Sequence, residues 1–265
     1  MIPNWFYSLS IPVTVLLCSV LFVGITLLAG VFVRPRLILL LKGQPDHNLS
    51  VGYFLGFFNL MNGLLLSLLA VATYQNHANV ERIVVRESAS LAALYRDVSS
   101  LPEPHRSDLQ SMLRDYTKYI INEAWPMQQR GLVPEQGTAL MDTFQKRLID
   151  VSPANHVQEM LQAAGFRQFN EYTEWRRLRL YSVKSDMPSI LWYAVGIGLL
   201  LHFAIFLFLN LRATTYLILG SLISFFTGTV ICMILLLDHP FVGPFGVSAE
   251  PFQILYDGLM RLRSG

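Results

Sequence analysis

VGYFLGFFNLMNGLLLSLLAVATY, residues 51–74, is uncharged and long enough to cross a bilayer, and it runs without a proline into QNHANVERIVVRESASLAALYRDV, residues 75–98. A spanning helix needs about 20 mostly apolar residues. In the second half, Val80, Ile83, Val84, Leu91, Leu94, Tyr95 and Val98 recur at three- and four-residue steps, so one helical face stays apolar while the rest becomes polar. A single helix is therefore predicted to leave the membrane and enter a polar domain. Three further runs have the spanning character, from about Ile11 to Val33, Ser189 to Leu211 and Thr214 to Leu237. The order is a pair, a polar interval and a second pair. This predicts an all-α membrane protein with four transmembrane helices (2+2) and an inserted antiparallel helical bundle continuous with helices 2 and 3.

The expected divisions are 1–74 for the first two spans, 75–188 for the bundle, 189–237 for the second pair and 238–265 for a C-terminal turn with an interfacial amphipathic segment. Composition agrees: 53% of the 265 residues are hydrophobic and only 14% charged, with a mean hydropathy of +0.43. A net charge of +2 is too small to suggest a nucleic-acid partner. Cys18 and Cys232 fall inside spans and read as small packing residues. The N-terminal MIPNWFYSLSIP lacks a basic region, and the apolar run stops only at Arg34-Pro35-Arg36, so it reads as a retained span and not a cleaved signal. Trp5, Phe6 and Tyr7, and later Trp192 and Tyr193, suit interfacial aromatic belts.

The connection RPRLILLLKGQPDHNLS, residues 34–50, is broken at Pro35 and Gly43-Gln44-Pro45, and its apolar piece Leu37 to Leu41 suits the interface. Arg34, Arg36, Lys42 and Arg212 lie in the two short connections, which places these in the cytoplasm and residues 75–188 outside. Arg176, Arg177, Arg179 and Lys184 before the third span weigh the other way.

Within 75–188 four helices are expected. The first ends at Leu101-Pro102-Glu103-Pro104, and the second, carrying Leu109, Met112, Leu113, Tyr116, Tyr119 and Ile120, stops at Trp125-Pro126. A third covers Glu135 to Val151, with Leu140, Phe144 and Leu148 on one face. The last starts after Ser152-Pro153 and runs toward Pro188, with Gly165 a candidate kink. After the fourth span, Phe252, Leu255, Tyr256 and Leu259 share one side of the segment Pro251 to Arg263, expected to lie in the interface.

No nucleophile–base arrangement, phosphate loop, dinucleotide fingerprint or paired Cys-x-x-Cys is present, and His47, His77, His105, His156, His202 and His239 form no i, i+4 pair. No catalytic residue, metal site or cofactor is assigned, and an enzyme is disfavoured. In the second span, Gly52, Gly56, Asn59, Gly63, Ser67, Ala70 and Tyr74 follow one helical face, with Asn62 beside it. Two readings stand. Small residues permit close helix packing with interhelical hydrogen bonds, and polar groups at membrane depth also line water-filled paths. Phe57, with Phe54, Phe58, Leu60 and Met61, offers an apolar constriction. Gly220, Ser221, Ser224, Thr227, Gly228 and Thr229 in the fourth span, and His202 in the third, read as packing residues. No span contains a carboxylate or lysine, which disfavours an ion-coupled transporter. Glu81, Arg82, Arg86 and Glu87 read as a solvated, salt-bridging helix face, or as the charged lining of a vestibule.

The run YQNHANVERIVVRESASLAALYRDVSSLPEPHRSDLQSMLRDYTKYIINEAWPMQQRG, residues 74–131, resembles the bacterial bestrophin-like domain family of multi-pass membrane proteins. The resemblance extends to Pro45-Asp46-His47-Asn48, Glu87, Leu94-Tyr95-Arg96, Trp125-Pro126, Asp238-His239-Pro240-Phe241, Gly243 and Val247 to Phe252. Ser88 stands where alanine is usual, and the C-terminal turn is more neutral. The resemblance implies an oligomeric anion channel, possible as a pentamer, in a bacterial inner (plasma) membrane, with the second span lining the pore. It also implies a cytoplasmic bundle, against the short-loop charges.

The expected function is a homo-oligomeric channel passing small anions. Its pore candidates are Gly56, Phe57, Asn59, Asn62, Gly63, Ser67, Ala70 and Tyr74, and its expected partners are membrane lipid, other copies of itself and small ions. The alternative is a non-conducting membrane-anchored sensor or scaffold whose bundle binds a ligand or partner. A third reading, an enzyme acting on lipid or wall precursors, points to Glu87, Trp125 and Asp238.

Overall fold

A computed structural model describes residues 9–40 and 47–261. Trp5, Phe6, Tyr7, Leu41, Lys42, Gly43-Gln44-Pro45, Asp46 and Arg263, all used above, lie outside the described residues. Every regular element among the described residues is helical. In chain order these are α1 (Ile11–Phe32), α2 (Arg34–Leu40), α3 (His47–Ser99), α4 (His105–Tyr119), α5 (Trp125–Gln128) and α6 (Gln136–Ile149). Next come α7 (His156–Ser182), α8 (Ser189–Leu207), α9 (Ala213–Asp238) and α10 (Glu250–Leu255). Of the described helices, α1, α3, α8 and α9 are long and apolar enough to cross a membrane.

The chain forms two compact units, one of Met1–Asn76 with Asp186–Asp238 and one of His77–Ser185 with His239–Gly265. In the first, α1 and α9 approach closely because the contact positions are small. A Cβ on Gly228 would lie 2.8 Å from the Ser19 Cα, and one on Gly30 would lie 2.6 Å from the Tyr216 ring. That closeness lets hydroxyls meet: Ser19 Oγ is 3.0 Å from Thr229 Oγ1, and Thr26 Oγ1 is 2.5 Å from Ser224 Oγ. Lipid tails are as apolar as the helices, so such packing and hydrogen bonding, and not apolar burial, hold spans together. Gly220, Ser224, Gly228 and Thr229 of the fourth-span Gly/Ser/Thr run thus serve packing. Leu69 of α3, Val195 of α8, and Ile231 and Ile234 of α9 form a buried cluster in the same unit.

In the second unit the core includes Val84, Leu91 and Leu94 from α3, Leu113 from α4, Phe144 from α6, Tyr172 from α7 and Phe252 from α10. The predicted stop at Trp125-Pro126 is not a stop. Pro126 lacks an N–H and its ring crowds the preceding turn; the chain widens into a π-turn over Ile120–Ala124 and continues to Gln128. The start of α7 carries a side-chain cap, with Asn155 Oδ1 accepting from the Gln158 N–H at 2.9 Å. This helix runs through Gly165 without a break.

Two expectations need correction. The last bundle helix does not continue into the third span: α7 ends at Ser182 and α8 begins at Ser189. Pro188 cannot donate within a helix, and the Met187 N–H instead donates to Asp238 Oδ1 at 2.9 Å. The apolar side of the C-terminal segment is also not spent on lipid. Phe252, Leu255 and Met260 are buried in the protein core, Thr117 Oγ1 donates to Met260 Sδ at 3.2 Å, and Trp125 Nε1 donates to the Val247 carbonyl at 3.1 Å.

Candidate functional site

The small and polar stripe of the second span, carried by the first part of α3, divides. Its inner edge meets α8. Asn59 Oδ1 can only accept, so the 2.7 Å contact to His202 Nδ1 is a bond donated by the imidazole. Asn62 lies against Gly198, where a Cβ would collide with the Asn62 amide. The Asn62 Oδ1 is buried and has no hydrogen-bond partner. Ala70 is half-buried beside the Leu69–Val195 cluster. The outer edge, Gly52, Gly56, Gly63, Ser67 and Tyr74, is exposed in the single chain.

Next to that edge lies a broad apolar face. Tyr53, Phe54, Phe57, Leu60, Leu64 and Leu68 are all exposed, Phe57 at 64%. Only 11% of the most apolar window of α3 is buried within the chain, against 33% for α9. The sequence offered either asparagines or aromatics for a pore wall. The two groups divide, with the asparagines turned to a neighbouring helix, Phe54 and Phe57 exposed, and Phe58 half-buried.

A second feature was missed by sequence reasoning. The connection between α8 and α9 leaves four consecutive backbone carbonyls without helical partners, and side chains from the starts of α2 and α3 take all four. His47 Nε2 is 2.8 Å from the Phe208 carbonyl. Arg34 donates to the carbonyls of Leu209, at 3.3 Å from Nε, and of Leu211. Asn48 Nδ2 donates to the Asn210 carbonyl, while the Asn210 N–H returns a bond to Asn48 Oδ1, both at 2.8 Å. Arg34 also stacks 4.3 Å over the Tyr216 ring. The signal was the absence of a glycine cap after Leu207, since carbonyls at a helix end need donors from elsewhere.

In the second unit the charged face splits similarly. Glu81 and Arg82 are exposed, and the Arg86 guanidinium lies 5.1 Å over the Trp175 ring. Arg86 borders an open cavity of about 360 Å³ with Ser90, Gln168, Glu171 and Trp175. Glu87 is not part of a solvated face. It is fully buried and takes bonds from Arg179 Nε at 2.5 Å and Nη2 at 3.0 Å. α3 turns position 87 inward on the same face as Val84 and Leu91, so the carboxylate must be paired to be buried. Arg179 Nη1 also donates to Gln128 Oε1 at 2.6 Å. Tyr172 donates its hydroxyl proton to the Tyr116 hydroxyl at 2.8 Å, and Arg176 Nε donates to the same oxygen at 2.9 Å.

Burial pushes the Tyr116 and Tyr172 phenols above their ordinary range; the guanidinium of Arg176 partly offsets this at Tyr116, and the Glu87 charge adds to it at both. Burial acts to lower Arg179, but the Glu87 carboxylate outweighs it and holds the guanidinium charged. The residues of the enzyme reading serve structure. Glu87 and Trp125 are core residues, and Asp238 accepts from the Met187 N–H and, at 3.1 Å, from Trp192 Nε1. Among the described residues no group of three or more His, Cys, Asp or Glu is placed to hold a metal ion.

The family model for a bestrophin-like domain matches residues 20–252, most of the chain. The chain belongs to the bestrophin-like family. Among solved structures it is similar to a bacterial bestrophin homologue from Klebsiella pneumoniae. One point variant of that protein is 11% identical, with 92% of this chain and 98% of that one covered and a TM-score of 0.68. A second variant is 12% identical over 93% and 99% of the two chains, also at 0.68, and a structure of the homologue phased on zinc is 13% identical over 92% and 97%, at 0.64. No curated protein matches. At such identities the shared property is the fold.

Proposed function

We propose that this bestrophin-like protein is a homo-oligomeric ion channel for small anions, with the pore lined by the second span. The observation that carries the reading is the free face of α3. Phe57, Leu60 and Leu64 are exposed while Asn59 and Asn62 are engaged by α8. A spanning helix with so little of itself buried has a face for lipid or for other copies around an axis. Exposed Gly56, Gly63, Ser67 and Tyr74 flank the apolar face and give neighbouring copies close contact or a polar path. An apolar constriction gates by dewetting and favours weakly hydrated ions.

The four spans are arranged 2+2, residues 75–188 form the vestibule, and Glu81, Arg82 and Arg86 are its charged residues. Support for anions lies in the described spanning segments, which carry no carboxylate short of Asp238 at the end of α9, and in arginines at the short connections. Membership of the bestrophin-like family and the likeness to a bestrophin homologue support channel function and self-association, with a pentamer as the expected ring. On the side of the membrane two supports oppose each other, the short-loop charges for an outside bundle and the family resemblance for a cytoplasmic one. A reporter fused after residue 265 distinguishes them.

The test is reconstitution. Purified protein in chloride-loaded liposomes releases chloride when a counter-ion path is supplied, and releases sodium much more slowly. A bilayer that stays tight to both ions at all pH values and potentials defeats the proposal.

A further inference from the structure

We propose that Cys18 and Cys232 are a redox pair within the membrane, closing to a disulfide that joins α1 to α9 when a lipid-soluble quinone draws two electrons from them. The inference concerns these two spans and does not rest on ion conduction.

The chain has two cysteines, far apart in sequence, and the fold sets their thiols against each other, hydrogen-bonded side chain to side chain. Both are free thiols and both are buried, at 7% and 0% exposure. At about 1.5 Å per residue from Ile11 and from Asp238, each lies roughly 10 Å inside its helix. The backbones leave little to move. Gly228, one turn before Cys232, brings α9 against the Cys18 carbonyl and the Ser19 Cα, which a Cβ at position 228 would meet at 3.1 and 2.8 Å. A disulfide needs sulfurs about 2 Å apart on Cα atoms about 4.4–6.8 Å apart. Helices in backbone contact offer such separations, and thiols already in hydrogen-bond contact need only turn about χ1 to bond.

Packing alone does not call for sulfur. Along the same seam Ser19 pairs with Thr229 and Thr26 with Ser224, so a hydroxyl at either cysteine would fill the place and hydrogen-bond more strongly than a thiol. What two thiols add is two-electron chemistry. Two S–H bonds break, one S–S bond forms, and two electrons and two protons pass to the quinone, which leaves as the hydroquinone. The quinone oxygens take the protons as the electrons leave the sulfurs, so no free thiolate has to exist in the apolar interior. Burial keeps out water-borne thiols and disulfides. Leu17 and Leu21, beside Cys18 on α1, are exposed, so the oxidant that reaches this pair is one dissolved in the bilayer.

The experiment treats the full chain in lipid nanodiscs with duroquinone, a fully methylated benzoquinone with no open ring position for a thiol to add to. The chain is then unfolded in N-ethylmaleimide and its intact mass measured. The expected product is lighter than the untreated chain by about 2 Da, for the two hydrogens lost, and takes no maleimide; dithiothreitol restores both adducts. In Cys18→Ser or Cys232→Ser the remaining thiol still takes its maleimide after the quinone, which separates a pair from two thiols oxidised one by one. The closed form melts higher than the reduced one, because the bond restricts the unfolded chain, and Cys18→Ser/Cys232→Ser shows no such rise. Maleimide on both cysteines of the quinone-treated chain, oxygen added to each sulfur without loss of hydrogen, or disulfide-linked dimers in place of the closed monomer overturns the proposal.

Discussion

Arg179 donates two hydrogen bonds to the Glu87 carboxylate, at 2.5 and 3.0 Å, and the two side chains are 2% and 0% exposed. The pair joins α3 to α7 through the middle of the bundle, and its outer ligand, Gln128, comes from the short helix after the π-turn. Buried ion pairs of this kind contribute little net stability over an apolar replacement, but removing one partner leaves the other charged in a dry core.

Glu87→Gln or Arg179→Met alone is therefore expected to destabilise the bundle by about 3–5 kcal/mol, and Glu87→Leu/Arg179→Met by much less than the sum. Thermal unfolding of the purified protein, followed by far-UV circular dichroism, measures both. Additive losses would mean that the two side chains act independently.

The tyrosines beside this pair set an alkaline limit. Burial raises the Tyr116 and Tyr172 phenols above the value of about 10 of an unfolded chain. The folded state thus holds these protons more tightly, so the stabilisation is complete below pH 10 and is lost as pH rises through the folded values. The melting temperature should be flat from pH 7 to 9 and fall above 10, with tyrosinate absorbance appearing at the transition. In Tyr116→Phe/Tyr172→Phe that alkaline fall should be shallower.

Close approach of α1 and α9 depends on Gly228, where a Cβ would meet the Ser19 backbone at 2.8 Å. Backbone cannot move aside as a flexible side chain can. Gly228→Ala should cost about 1–3 kcal/mol and Gly228→Leu should separate the two helices. Gly24→Ala, with nothing within 4 Å of its Cβ, is the control and should leave the melting temperature unchanged. Equal effects at the two glycines would contradict the packing account.

Much of the architecture was legible because it depends on one-dimensional periodicity. Apolar runs of spanning length and the three- and four-residue recurrence at Val80 to Val98 mark helices whatever they touch. What was not legible depends on partners distant in sequence. Glu87 looks like its exposed neighbours Glu81, Arg82 and Arg86 until Arg179, 92 residues later, is brought beside it. Asn59 looks like a free polar group until His202, 143 residues later, is brought to its oxygen. Pro126 looks like a stop because a π-turn has no sequence signature beyond the proline that it accommodates. Arg34, counted above as a topology charge, caps carbonyls of a connection 175 residues away.

The central claim is that the free apolar face of α3, and not its asparagine edge, lines the ion path. The most direct measurement is chloride efflux from liposomes holding Phe57→Cys or Asn59→Cys protein, each in a Cys18→Ala/Cys232→Ala background, before and after a charged thiol reagent. The account predicts that the reagent changes efflux severalfold for Phe57→Cys and leaves Asn59→Cys unmodified, since that position faces α8. Modification and block at Asn59→Cys with no effect at Phe57→Cys would contradict it.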